Sequence, residues 1–133
     1  MRWSLAAWLA AFAVGSEAAT IEQNMMVSVA IKCSLATEAI DMFHRRSNDA
    51  AWDATSAYSS MIGILNDYEP GSPDASRLAL WSARDMYVAL LQKTQVKPGV
   101  PVPNSVRQVA AGMCAMELYR FVGGDKSGLE RIR

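Results

Sequence analysis

The side chains that could carry chemistry are few in this sequence. His44 is the only histidine of the 133 residues, and Cys33 and Cys114 are the only cysteines. A zinc site needs about four ligands of these types, and a thiol nucleophile needs a free cysteine beside a base, so neither site is expected. No glycine-rich phosphate loop, calcium loop or Gly-x-Ser-x-Gly turn occurs. We therefore predict no metal, no cofactor and no catalytic residues.

Paired carboxylates, the groups that hydrolyse glycosidic bonds, are the remaining candidates for catalysis. The first half of the chain contains Asp41, Asp49, Asp53 and Asp67. Their spacing does not single out a pair, and Asp49 and Asp53 fit the first turn of a helix, where the dipole favours acids. His44 is followed by two arginines, as is typical of a helix C-terminus. A small envelope hydrolase is thus an alternative function, but it would need a nucleophile that the sequence does not offer.

The N-terminal segment predicts export. One arginine precedes the run 3–14, which is apolar except for Ser4, and small residues follow at 15, 16 and 18. This order is typical of a secretory signal peptide. A membrane anchor is the alternative, but a run of about 12 residues is shorter than the roughly 20 that span a bilayer. We expect residues 1–19 to be removed and residues 20–133 to form one helical domain in the periplasm, without membrane insertion.

The two cysteines of an exported chain predict a disulfide bond. Cys33 and Cys114 are 81 residues apart, and each falls on an apolar stripe of a predicted helix. By chain entropy, such a bond would stabilise the fold by about 4 kcal/mol. Two free thiols are the alternative.

Two stretches rich in proline and glycine, 68–73 and 97–104, divide the chain. Between them, apolar residues recur at helical spacing. We predict helices over 21–43, 49–67 and 72–94. A fourth helix is predicted to begin after Asn104 or Ser105 and to end before Gly123, and the tail 125–133 to add one short helical turn or to fray. The fold class is therefore all-α, a four- to five-helix bundle with one inter-helix disulfide.

The ends and faces of these helices are predicted from single residues. Ser47 or Asn48 is expected to cap the second helix, and Ser72 the third. On the first helix, an outer polar face is predicted from Lys32, Glu38 and Asp41. Most of the eight methionines fall on inward stripes and are expected to fill the core.

The net charge is zero, but its distribution is uneven. Residues 19–76 contain eight acids and three bases, whereas residues 77–133 contain four acids and nine bases. The halves could pack so that their charges interleave, or they could present two docking surfaces of opposite sign. A neutral chain gives no general attraction to nucleic acid, so no nucleic-acid partner is expected.

The second proline-rich stretch is the strongest candidate for a binding site. It consists of Lys97, Pro98, Gly99, Val100, Pro101, Val102 and Pro103. Valines that alternate with prolines form a stiff, extended segment, which pays little ordering entropy when it enters a groove of a partner. A plain rigid connector is the alternative. Tyr68 and Glu69, in the first stretch, form a secondary contact candidate.

The order of these features is similar to that of a known family. The features are a signal peptide, the cysteine-bearing segment 29–36, the helix start Asp49–Trp52, Tyr68 ahead of Ser72–Ala75, Tyr87 ahead of a proline-containing loop, and Cys114 ahead of Leu118 and Tyr119. In this order the chain resembles the periplasmic immunity proteins that neutralise peptidoglycan amidase effectors of type VI secretion.

The resemblance implies a protein that works by protein–protein interaction and is not an enzyme. It implies an inhibitor whose loop before the last helix, here residues 97–103, enters the active-site groove of a cognate secreted peptidoglycan amidase. It also implies a possible homodimer. The alternative is an envelope chaperone or structural helical protein with no single enzyme target, whose methionines would form an adaptable surface.

Overall fold

The computed structural model describes the backbone of residues 2–95 and 101–132 and the side chains of residues 23–95 and 101–132. Within these ranges the only regular secondary structure is helical, and the helices are joined by turns and irregular segments. The helices are α1 Arg2–Arg46, α2 Ala54–Leu65, α3 Pro73–Thr94, α4 Asn104–Val122 and α5 Ser127–Arg131. The prediction of an all-α bundle with four to five helices is confirmed.

Helix α1 is longer at both ends than the predicted range 21–43. It begins at Arg2, since no proline precedes Pro70 and the single Gly15 does not interrupt the helix. It ends at Arg46, and its last turn contains His44 and two arginines, whose side chains lie at the negative end of the helix dipole. The Ser47 hydroxyl donates to the His44 carbonyl over 2.8 Å and closes the turn.

Helix α2 begins at Ala54, and the prediction that it starts at Asp49 is wrong. Asp53 is the N-cap, since its carboxylate accepts hydrogen bonds from the backbone N–H groups of Thr55 and Ser56. Asp49 lies outside the helix, where its Oδ1 accepts from the Ala51 N–H over 3.0 Å. The residues between α1 and α2 therefore form a connecting turn.

Helix α3 lies where the sequence predicts it, and α4 begins at Asn104, ahead of its predicted start. Ser72 caps α3 by accepting from the Ala75 N–H over 3.1 Å, and Pro73 occupies the first turn. Helix α4 starts directly after Pro103 and ends before Gly123. These boundaries follow from proline and glycine, which act through the backbone and need no tertiary partner.

The core is built around α3, which contacts each of the other four helices, whereas α2 contacts only α1 and α3. The predicted disulfide is present. Cys33 and Cys114 are both fully buried, and the bond between them joins α1 to α4 with a Cα–Cα distance of 5.6 Å. The fully or nearly fully buried apolar residues include Val29, Ala36, Ile40, Leu65, Leu78, Ala79, Leu80, Ala83, Tyr87, Val106, Ala110 and Leu118.

The described methionines surround this core and do not fill it. Met25, Met42, Met61 and Met86 are half-buried and pack against the core cluster, while Met26 and Met116 are more than half exposed. Methionine was expected to fill the core, but the described methionines that contact the core cluster lie at its edge. Within the described residues, no helix has the combination of length and apolarity needed to cross a membrane.

Candidate functional site

The candidate loop is attached to the bundle at the start of α4. Lys97, Pro98, Gly99 and Val100 lie outside the described residues. Pro101 and Pro103 are exposed, whereas Val102 between them is half-buried and packs against the core. The Pro103 carbonyl accepts from the Val106 N–H over 3.1 Å. The described part of the loop thus shows two prolines to solvent and is anchored by one valine.

Arg107 ties this end of α4 to α1. Its Nη1 atom lies 3.7 Å from Glu38 Oε1 and 3.8 Å from Asp41 Oδ2. Its Nη2 atom donates to the side-chain oxygen of Asn104, the first residue of α4. The acids come from the first half of the chain and the arginine from the second, so the charges of the halves interleave here.

Asp41 lies at the centre of this arrangement and is buried, so its predicted place on an outer face is wrong. Its Oδ1 accepts a 2.6 Å hydrogen bond from the Tyr87 hydroxyl, and its Oδ2 lies 3.2 Å from the Arg45 guanidinium. Burial raises the pKa of the Tyr87 hydroxyl, and the hydrogen bond to the Asp41 carboxylate raises it further. The tyrosine therefore stays protonated at neutral pH and acts as the donor.

A polar groove of about 240 Å³ runs between α1 and α4 beside the loop. Its lining residues are Ser34, Thr37, Glu38, Asn104, Arg107, Gln108 and Ala111. The side chain of Glu38 is 60% exposed, and that of Arg107 is 32% exposed. The groove offers hydrogen-bonding groups and charges of both signs.

The secondary contact candidate lies elsewhere on the bundle. Lys32, predicted on an outer face, is fully buried, and its Nζ donates to the carbonyl of Tyr68 over 3.1 Å and to that of Pro70. This ammonium group holds the turn that exposes Tyr68 and Glu69. Lys32 and Asp41 are nine residues apart on α1, or about 13 Å along its axis. The turn therefore lies away from the start of α4, which follows the described part of the loop, residues 101–103.

Desolvation has the largest effect on the pKa of Lys32. It lowers the pKa of the ammonium group to about 8, although the nearby Glu69 carboxylate acts in the opposite direction. Lysine is almost never fully buried unless its ammonium group has partners. Here the ammonium group supplies hydrogen bonds to two carbonyls of a turn that follows a helix C-terminus.

A row of aromatic and arginine side chains, which the sequence reasoning did not identify, holds α2 against α1 and α3. The Tyr58 and Trp81 rings stack with centroids 5.5 Å apart, and the Phe43 ring lies 4.9 Å from that of Tyr58. The Arg84 guanidinium lies 4.8 Å from the Trp81 centroid, a cation–π distance. The cation–π pair between Arg46 and Trp52, six residues apart, is the part that sequence proximity could have suggested.

The remaining candidates for chemistry are placed as follows. Both cysteines are in the disulfide. His44 is exposed, and its ring lies 5.8 Å from that of Tyr87 in an edge-to-face arrangement. Among the residues that the structure describes, no three histidine, cysteine, aspartate or glutamate side chains form a group that could hold a metal ion.

No protein-family model, curated protein or solved structure matches this chain.

Proposed function

We propose that this protein is a periplasmic immunity protein that binds and inhibits a cell-wall amidase toxin delivered by type VI secretion. The loop at residues 97–103 would enter the active-site groove of the toxin. The observation that carries the proposal is the anchoring of this loop: Val102 packs against the core, and Arg107 ties the first turn of α4 to α1. The protein would act through shape, without catalysis.

A rigid base supports this mechanism because ordering a loop on binding costs free energy. Prolines at 101 and 103 restrict the backbone before binding, and the fixed start of α4 sets the direction in which the loop leaves the bundle. Val100 would fill an apolar subsite, and Lys97 would pair with an acid at the rim of the groove. Pro101 and Pro103 would provide the exposed part of the contact nearest to the bundle.

The disulfide supports the proposed compartment. Disulfides between buried cysteines persist in the periplasm and are rare in the reducing cytosol. The bond between Cys33 and Cys114 therefore agrees with removal of residues 1–19 on export. N-terminal sequencing of the protein isolated from cell envelopes tests this directly, and we expect a first residue near position 20.

The test of inhibition replaces residues 99–103 by a Gly-Ser linker of equal length. The toxin is the amidase with a cysteine–histidine signature that we expect to be encoded beside this gene. We expect the variant to keep the circular dichroism spectrum of the parent and to lose protection of cells that express the toxin in their periplasm. A matched control replaces the turn at 123–126, which lies at the other end of α4.

The outcomes separate a binding loop from a connector. Protection by the control and none by the loop variant supports the proposal. Full protection by the loop variant would remove the loop from the mechanism. Failure of the parent protein to bind the amidase in a pull-down would contradict the assignment of the partner.

An envelope chaperone is the second candidate, and one observation favours it. Met26 and Met116 are 56% and 51% exposed, and flexible methionine side chains suit surfaces that bind many clients. A chaperone should suppress aggregation of a heat-unfolded test protein at equimolar ratio. An immunity protein should leave that aggregation unchanged and bind one folded enzyme tightly.

A further inference from the structure

The polar groove between α1 and α4 has two walls of similar construction. Its exposed side chains are Ser34 and Glu38 on α1 and Asn104 and Gln108 on α4. The two residues of each wall are four positions apart on one helix, which is about 6 Å along the helix axis. Each wall therefore presents hydrogen-bonding side chains at the same interval.

The charges of the groove lining balance each other. Glu38 Oε1 lies 3.7 Å from Arg107 Nη1, and these are the two charged residues of the lining. A ligand of one sign would meet one favourable and one unfavourable group. A neutral ligand with both donors and acceptors fits better, because the Glu38 carboxylate accepts and the Gln108 amide does both. Arg107 donates to the Asn104 oxygen, which leaves the Asn104 amino group to donate to a ligand.

A polypeptide backbone in the extended conformation is a ligand of this kind. Its N–H and C=O groups point alternately to the two sides of the strand, and groups on one side repeat about every 6.6 Å. This repeat is close to the interval of about 6 Å in each wall. A strand lying in the groove can therefore bond to Asn104 and Gln108 on one side and to Ser34 and Glu38 on the other.

The bottom of the groove limits which side chains such a strand can bear. Thr37 is buried there, and its hydroxyl already donates to the Cys33 carbonyl over 2.7 Å. Ala111 is half-buried beside it. Alternate side chains of a strand would point to this bottom, in a groove of about 240 Å³. The groove therefore favours a segment with glycine, alanine or serine at the inward position.

We propose that this groove binds an extended backbone segment of the amidase, beside the active-site groove that receives the loop at residues 97–103. The proposal rests on the proposed function, which supplies the partner. Asn104 belongs to the groove wall and directly follows Pro103, the last residue of the loop. A protein held by the loop therefore lies next to the groove. The inhibitor then has two contacts, the loop and the groove, and the second recognises backbone.

A variant that fills the groove tests whether it is occupied in the complex. Ala111→Gln places a longer side chain at the bottom of the groove and should weaken binding of the amidase at least about tenfold in calorimetry. Ala89→Gln makes the same change at an exposed position of α3, outside the groove, and should leave the affinity unchanged. Both variants should unfold at the temperature of the parent, because alanine and glutamine both favour helix.

A second pair of variants removes hydrogen bonds without adding bulk. Gln108→Ala deletes one amide of the α4 wall and should weaken binding about threefold or more. Gln92→Ala, at an exposed position of α3, is its matched control and should bind like the parent.

Amide hydrogen exchange of the amidase shows whether backbone fills the groove. In the complex with the parent, a few consecutive amides outside the active-site groove should become protected. The complex with Ala111→Gln, measured at saturating concentration, should lack this protection and keep that of the active-site groove.

The outcomes separate this proposal from the proposed function. Full affinity of Ala111→Gln and Gln108→Ala would overturn the groove contact and leave the inhibitory loop in place. Loss of affinity without a newly protected segment would show that side chains occupy the groove, and would overturn the backbone contact. Failure of the parent to bind the amidase would contradict the proposed function itself, and with it the occupant named here.

Discussion

The Tyr87 hydroxyl donates a 2.6 Å hydrogen bond to Oδ1 of Asp41, a residue 46 positions earlier in the chain. The second oxygen of the same carboxylate faces Arg45 of α1 at 3.2 Å and Arg107 of α4 at 3.8 Å. One buried carboxylate thus joins three helices at the end of the bundle where the candidate loop enters α4. The start of α4 is therefore held by contacts that no local sequence pattern shows.

Tyr87→Phe removes the donor to Asp41 and leaves a buried carboxylate oxygen without its closest partner. We expect the free energy of unfolding to fall by about 1–3 kcal/mol, the usual cost of an unsatisfied buried acceptor. Urea denaturation followed by circular dichroism measures the loss. Tyr68→Phe is the control, because Tyr68 is 41% exposed and should tolerate the change. Equal stability of the two variants would show that the hydrogen bond contributes nothing.

Lys32 should make the stability of the protein depend on alkaline pH. Burial lowers the pKa of its ammonium group from 10.5 to about 8, so between these values the unfolded chain binds the proton more tightly than the folded protein. Stability therefore rises with pH across this window, and the gain is lost as pH falls back through 8. Thermal unfolding should show a midpoint that increases from pH 8 to pH 9.5.

The Lys32→Met variant isolates this effect. It removes the titrating group, so the rise between pH 8 and pH 9.5 should disappear. Lys93→Met, a change of an exposed lysine on α3, should keep the rise. The upper limit is pH 9.5 because tyrosine ionisation contributes above it, with the opposite sign for Tyr58 and Tyr87, whose pKa values are raised. A flat profile for the parent protein would contradict the assignment.

The elements that the sequence predicted well are those set by local chemistry. Helix α3 starts at Ser72 and Pro73 as expected, and α4 ends before Gly123, because caps, proline and glycine act on the adjacent backbone. The disulfide could be predicted because both cysteines lie on apolar stripes. The loop at 97–103 was found from proline spacing alone, and its role stays a prediction.

The errors arose where a distant partner determines the position. Helical periodicity places Lys32 and Asp41 on a polar face, but each is buried by a group 36 or 46 residues away. The start of α2 was misplaced for a different reason. Ser47, Asn48 and Asp53 are all good caps, and the choice between them is made by the packing of the connecting turn, where Trp52 lies against Phe43.

The cap of α2 can be tested with a matched pair of aspartates. Asp53→Ala should lower the urea concentration at the midpoint of unfolding, because it removes the acceptor for the first free N–H groups of the helix. Hydrogen bonds to Ser56 and Thr55 lower the pKa of the Asp53 carboxyl, so the parent should lose part of this stabilisation in acid. Asp49→Ala changes a residue outside the helix, and at neutral pH it should lower the unfolding midpoint by less than half as much.

Removal of the disulfide should reveal how much of the stability depends on the link between α1 and α4. Cys33 and Cys114 close a loop across 81 positions, and the chain-entropy model gives about 4 kcal/mol for a loop of this size. A small domain has a total stability of about 5–15 kcal/mol, so the reduced protein should be marginal. The double variant Cys33→Ala, Cys114→Ala should therefore unfold at a much lower urea concentration than the oxidised parent.

Reduction with dithiothreitol is the control. It should lower the unfolding midpoint of the parent to nearly that of the variant and leave the midpoint of the variant unchanged. If the reduced parent kept its full resistance to urea, the packing of α3 against α1 and α4 would be sufficient for the fold, and the covalent link would have no part in holding the base of the loop.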